Sequence, residues 1–313
     1  MNTYWQDVDV RDAFFDELYN IASKDHDVMF LTADMGAFSL EKFRKDLSSQ
    51  YINVGIAEQN MVGVAAGLAL GGKTVFIYTI TPFVTLRCYE QIKIDLCFHN
   101  LPVTVIGVGT GFTYGTDGPT HYAIDDLSIM RVLPGITIFN PSDAVLTAAS
   151  AMLAYKNPGP VYVRIDKGNF PVLYRDKEDF SSGLALLKEG RDLIIVSTGV
   201  MVHQAFQVAD ELAKHSVDAG IIDIYRVKPI NEELFLSLIS QTNRLVTLEE
   251  DLLTAGIGSA VCEILVDRQK TLSVKRIGVP EKHFSRYGER EWMYSFLRLD
   301  VNSITNTILD WKG

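Results

Sequence analysis

The sequence predicts an α/β protein of two domains, each a mostly parallel sheet flanked by helices. Three observations carry this. Short apolar runs of strand length alternate with helical apolar spacing from end to end. One polar stretch interrupts the alternation past the middle of the chain. A length of 313 residues is enough for two separate cores.

The elements follow in order. "VRDAFFDELYNIAS" places apolar residues on one helical face, and "DVMFLTADM" reads as a buried strand ending in a polar turn. "NVGIAEQNMVGVAAGLAL", Asn53 to Leu70, is a small-residue helix suited to close packing. "KTVFIYTI" is a strand, "TLRCYEQIKIDLCFHN" an amphipathic helix and "PVTVIGVG" a strand. "GITIFNPSD" is a strand that enters a helix through Asn140-Pro141-Ser142-Asp143, a good stop-and-cap sequence. "PVYVRID" closes the first series. From Lys167 to Gly190 the pattern breaks, with Pro171 and a Ser-Ser-Gly step. The expected division is a first domain over 1–175, a linker over 176–189 and a second domain over 190–313. In the second series "DLIIVSTG", "AGIIDIY", "NRLVTLEE" and "SVKRIGVP" are the strand candidates.

Composition excludes some functions. A net charge of −10 argues against nucleic-acid partners and against docking on an anionic membrane, though not against a local basic pocket for an anionic substrate. Cys88, Cys97 and Cys262 form neither a disulfide framework nor metal-type spacing, so a reducing, cytoplasmic setting is expected and no metal ligands are assigned. The start lacks the basic and apolar regions of a signal peptide, and no apolar run reaches membrane-spanning length.

Two stretches carry chemistry. Glu58 heads the small-residue helix, where burying an acid costs several kcal/mol unless something pairs with it. The plainer alternative is a first-turn Glu facing water at the positive end of the helix dipole. The segment "GVGTGFTYGTDGPTHYAIDDLSIMRVLPG", Gly107 to Gly135, leaves the carboxyl end of a strand, where open α/β sheets hold ligands. Its glycines let backbone approach a ligand, and Asp117 and His121 lie close together within it. The alternative there is a long surface turn with Asp117 as a cap.

"DGPTH" followed by "DDLSIMRVLPG" and "NPSD" resembles transketolases and their relative deoxyxylulose-phosphate synthase. "GIAEQNMVGVAAGLAL" is similar to the pyrimidine-binding helix of that family, and "TPFVTLRCYEQIKIDL" to the helix after it. "LVTLEEDLLTAGIGSAV" and "RIGVP" resemble its carboxy-terminal domain. The match covers nearly the whole chain but only the back half of a full-length transketolase. It implies thiamine diphosphate as cofactor, with Glu58 bonding N1′ of the aminopyrimidine and relaying a proton there. Phe83 is the implied stacking aromatic, with Tyr78 and Tyr89 as lesser candidates. Asp117 and His121 fall on residues that contact the sugar substrate. Lys167 stands where the family usually carries a phosphate-binding Arg, Arg11 matches another phosphate-contacting arginine, and Ser39 is placed with this substrate-binding set.

Two departures bear on the substrate. Transketolases carry a His where this chain has Gly109, and deoxyxylulose-phosphate synthases an Arg where it has Thr110. A larger departure is the missing "GDG" motif with its downstream Asn, which in the family holds Mg²⁺ and the diphosphate. The resemblance therefore implies one subunit of a split transketolase, paired as α2β2 with a separate diphosphate-binding subunit and acting on sugars or sugar phosphates. Rival readings are the β subunit of a 2-oxo-acid dehydrogenase E1 component, a deoxyxylulose-phosphate-synthase-like enzyme and a non-catalytic homologue.

Overall fold

The computed structural model describes residues 4–311. The strands, in chain order, are β1 (Val28–Thr32), β2 (Tyr51–Asn53), β3 (Thr74–Ile80), β4 (Val103–Val108), β5 (Thr137–Phe139) and β6 (Val161–Ile165), then β7 (Ala185–Lys188), β8 (Leu193–Ser197), β9 (Ala219–Asp223), β10 (Arg226–Lys228), β11 (Arg244–Leu252) and β12 (Ser273–Val279). They form a seven-stranded sheet ordered β10-β5-β6-β4-β3-β1-β2 and a five-stranded sheet ordered β12-β11-β8-β9-β7. Within the first sheet β1 to β6 pair parallel, and within the second β8, β9, β11 and β12 do. β1, β4, β6, β8 and β9 are buried throughout, which explains their continuous apolar runs.

Helices cover both faces of the first sheet. Val10–Ala22 and Ala144–Tyr155 pack together on one face, over a core that includes Phe14, Phe15, Phe30 and Phe76. Glu58–Leu70 packs on the other, placing Met61, Val62 and Ala65 against Leu31, Val75 and Ile77. The expected cap at Asp143 forms: its Oδ1 accepts from Leu146 N at 2.8 Å, and Oδ2 accepts from Leu173 N at 2.6 Å.

Three features differ from the sequence reading. "TLRCYEQIKIDLCFHN" is not one regular helix: a short helix Thr81–Thr85 precedes a break, and Ile92–Phe98 forms wide π turns. Side chains compete for the backbone at the break, with Thr85 Oγ1 donating to Thr81 O at 2.7 Å and Cys88 Sγ to Phe83 O at 3.3 Å. Residues 185–188, read as linker, are β7, a half-exposed antiparallel edge strand on β9 whose short run reads locally as a turn. β10, from the second half, returns to the first sheet and pairs antiparallel with β5, so the two halves share a sheet edge. Arg226 ties this crossing down through Ser181 O at 2.9 Å and Ser182 O at 3.1 Å.

Candidate active site

Because β1 to β6 run parallel, the turns that leave their carboxyl ends gather along one sheet edge, together with the start of helix Val10–Ala22. Glu58, Phe83, the 109–121 loop, Lys167 and Arg11 all come from these turns and starts. The alternation of the sequence thus gathers residues that are distant along the chain.

Glu58 is the first residue of its helix and only 4% exposed. It does not face water: Nη1 of Arg87 lies 2.9 Å from its Oε2, and the Arg87 side chain is 44% exposed. The same guanidinium lies over the ring of Phe83, 4.3 Å from its centroid. Beyond Phe83 comes the His121 ring at 5.1 Å, then Tyr114 a further 6.3 Å on, with Lys167 Nζ 5.7 Å above the Tyr114 ring. Glu58, Phe83, His121 and Lys167 therefore lie along one continuous track. Beside it, burial and the Glu58 charge push the Cys88 thiol up to about 12, so it stays protonated at neutral pH.

His121 Nδ1 bonds Thr120 Oγ1 at 2.9 Å, which leaves Nε2 as its ring nitrogen for a ligand. Asp117 ends a single 3₁₀ turn, Gly115–Asp117, and its side chain is exposed. Arg11 joins the Lys167 end because Val10 N bonds Gly168 O at 3.0 Å and Gly168 N bonds Asp9 Oδ2 at 3.1 Å. Its Nε is buried without a hydrogen-bond partner and lies 3.8 Å from Asp12 Oδ1. Ser39 is mostly buried and spends its hydroxyl on Asp12 at 2.8 Å, so it positions the Arg11 neighbourhood rather than facing the track.

Tyr78 is corrected by its position. It is fully buried among Phe15 and Phe30, in the core on the sheet face opposite helix Glu58–Leu70, and its ring is not on the track. Desolvation pushes its hydroxyl pKa up, against the nearby Arg11 charge. On a strand buried on both faces, a tyrosine's side cannot be read from polarity alternation. Tyr89 spends its hydroxyl on Ile129 O at 3.0 Å, tying two segments together.

The sequence reading missed the apparatus that fixes the 109–121 loop. Asp166, at the end of β6, accepts from Thr110 Oγ1, Thr113 Oγ1 (2.7 Å), Lys167 N (2.7 Å) and both terminal nitrogens of Arg290 (3.1 and 2.7 Å). Burial raises the Asp166 pKa, but the Arg290 charge and the hydrogen bonds from Arg290, Thr110 and Lys167 N together outweigh it and hold the carboxyl below its usual range. Glu250, on β11, accepts from Phe112 N at 2.9 Å and from Arg290 Nε at 2.9 Å. The second domain thus grips the loop from behind.

That grip explains the glycines. Gly109 has φ +82°, and a Cβ there would come within 2.1 Å of the Tyr114 ring. Tyr114 therefore packs against the position that carries a His in transketolases. Gly111, at φ +54°, leaves the space that Glu250 occupies, 2.0 Å from where a Cβ would be. The only signals for this network were the adjacent "RID" and "LEED" acids.

The residues fit the pyrimidine end of thiamine diphosphate by the chemistry of their donor set. A flat nitrogen-rich group that donates to Glu58 while lying on Phe83 is what they accept, and the guanidinium of Arg87 makes both contacts. Among the described residues, no group of three or more His, Cys, Asp or Glu side chains could hold a metal ion. No helix among them is long and apolar enough to cross a membrane. A cavity of about 690 Å³ lies behind the loop, lined by Tyr122, Leu252 and His283 among others, and Glu58, Phe83 and Lys167 do not line it.

Known proteins match over nearly the whole chain. Residues 6–172 match the family "Transketolase, pyrimidine binding domain", and residues 183–304 match "Transketolase, C-terminal domain". A subunit of the apulose-4-phosphate transketolase of Phocaeicola vulgatus is 34% identical over 304 residues, covering 96% of each chain. A 6-deoxy-6-sulfo-D-fructose transketolase subunit from Clostridium sp. (strain MSTE9) is 36% identical over 272 residues, covering 86% of this chain and 84% of that one. A solved structure described as a split gene transketolase, inactive beta4 tetramer, superposes with a TM-score of 0.86 at 31% identity, over 96% of this chain and 97% of that one.

Proposed function

The chain belongs to the transketolase family, and from that premise we propose how its residues serve a split transketolase, of which it is one subunit. The reaction is transfer of a two-carbon ketol unit from a ketose to an aldose. The observation that carries this reading is the buried Glu58 beside the Phe83 ring, in line with His121 and Lys167.

Glu58 holds the aminopyrimidine of thiamine diphosphate and exchanges a proton at its N1′, and Phe83 supports the ring face. When bound, the cofactor supplies the electron sink for breaking a carbon–carbon bond beside a carbonyl. His121, oriented by Thr120, presents Nε2 to the substrate oxygen on which charge develops, and Asp117 accepts from a sugar hydroxyl. Lys167 and Arg11 neutralise an anionic group at the far end of the donor. A Lys in place of Arg gives charge without the bidentate fork, so it suits an anion of less fixed geometry than one phosphate. The relatives' names specify a phosphate and a sulfonate sugar, which supports an anionic donor.

The partner subunit contributes the diphosphate-binding domain and Mg²⁺. Ile56, Leu70, Leu86, Ile94 and Phe98 are large, apolar and exposed around the Glu58 helix and the packed π segment, a surface suited to burial against another protein chain. An α2β2 assembly follows the twofold site-sharing of the family, and the reducing cysteine usage fits the cytoplasm. We divide the chain as 1–175 and 185–313, which moves β7 from the expected linker into the second unit.

The test is Glu58→Gln in the complete complex, which keeps shape and removes the acid. Turnover falls by at least about a hundredfold with the melting temperature nearly unchanged. Near-normal turnover from the folded variant contradicts the assignment.

A further inference from the structure

We propose that Arg87 is a latch on the pyrimidine site: it occupies Glu58 and Phe83 while the cofactor is absent and must swing outward for the cofactor to enter. The inference rests on the assignment of Glu58 and Phe83 to the cofactor and concerns what those residues do before it arrives. Among the described residues Glu58 has one cation beside it, Arg87, whose Nη1 lies 2.9 Å from its Oε2. The guanidinium simultaneously covers the Phe83 ring at 4.3 Å, and the His121 ring stands against Phe83 at 5.1 Å. The acid and the stacking face are therefore committed together to one side chain.

That side chain is free to leave. It is 44% exposed, and it follows the break after Thr85 rather than sitting inside a regular helix. Among the described residues its charged partner is the carboxylate that the pyrimidine would take. While latched, it spares Glu58 an unpaired burial in the cofactor-free chain. When released, the guanidinium reaches water and loses little solvation.

A closed state that must open before binding lowers apparent affinity by the fraction open. Removing the latch therefore tightens cofactor binding while loosening the cofactor-free chain. This separates the idea from the alternative in which Arg87 stays and supports the cofactor.

The experiment measures thiamine diphosphate binding by titration calorimetry to the complex of this chain with its diphosphate-binding subunit and Mg²⁺, and melting of the cofactor-free chain. Arg87→Met is expected to bind about three- to tenfold more tightly than wild type and to melt lower without cofactor. Arg87→Lys keeps a cation for Glu58 but leaves the Phe83 face, and should bind with intermediate affinity; it decides the question if the Met variant does not fold. Unchanged or weaker binding by these variants overturns the latch while leaving the cofactor assignment intact. No thiamine diphosphate binding by the wild-type complex overturns both.

Discussion

Two buried carboxylates at opposite ends of the track are held in opposite ways. Asp166 accepts five hydrogen bonds, from two threonines, a backbone N–H and both arms of Arg290. Glu58, almost as buried, is paired with one half-exposed guanidinium. Asp166 is saturated by the fold and fixes a loop. Glu58 is paired by something that can move away. The contrast separates a framework acid from a proposed ligand acid: Asp166, which fixes a loop, is saturated from within, and Glu58, proposed to meet the cofactor, keeps a replaceable partner.

The contrast breaks most sharply at Arg290. Arg290→Met leaves Asp166 and Glu250 without their shared cation inside the protein, at a cost of about 3–5 kcal/mol. A fall in melting temperature on the order of 10 °C is expected, with turnover lost as the 109–121 loop loosens. A melting temperature within a degree of wild type would show that the network is not the framework.

His121 is the milder test on the ligand side. His121→Ala removes a half-exposed ring that supports no core, so melting should hardly change. Turnover at saturating cofactor should fall roughly ten- to a thousandfold. Lost affinity for thiamine diphosphate with turnover preserved would move His121 from the substrate to the cofactor.

Asp223 gives the smallest effect and sharpens the framework side. Burial raises it to about 7 from 3.8, only partly opposed by the hydroxyls of Ser142 and Tyr174, with Asp143 adding to the rise. The folded state therefore binds a proton that the unfolded state releases, and this contribution is full below about 3.8 and lost as pH rises through about 7. Asp223→Asn should flatten the decline in melting temperature over that window by a few degrees. Parallel wild-type and variant profiles would show that Asp223 is ionised throughout.

What the sequence made legible was local. Apolar runs bounded by turns marked most strands, and the cap at Asp143 followed from its own tetrapeptide. Glu58 stood out because an acid at the head of a small-residue helix demands a partner. Its partner Arg87 was read only as part of an amphipathic face, since nothing nearby reveals that the helix breaks before it. The Asp166–Arg290 network joins residues 124 positions apart, and Glu250 reaches Phe112 across 138, separations no periodicity records. Tyr78 misled for a related reason: full burial of its strand hides which face meets the site. β10 crosses between the halves with three residues, too short a run to announce its sheet.

The most direct measurement is complementation. The purified chain is assayed for ketol transfer with thiamine diphosphate, Mg²⁺ and a range of anionic ketoses, first alone and then with a separately purified diphosphate-binding subunit. No turnover by the chain alone and robust transfer on adding the partner is the predicted result, because on the proposed assignment Glu58 and Phe83 would grip one end of the cofactor and its charge-assisted anchoring would lie at the other. Robust ketol transfer by the chain alone, or none with the partner bound, would contradict the split-subunit account.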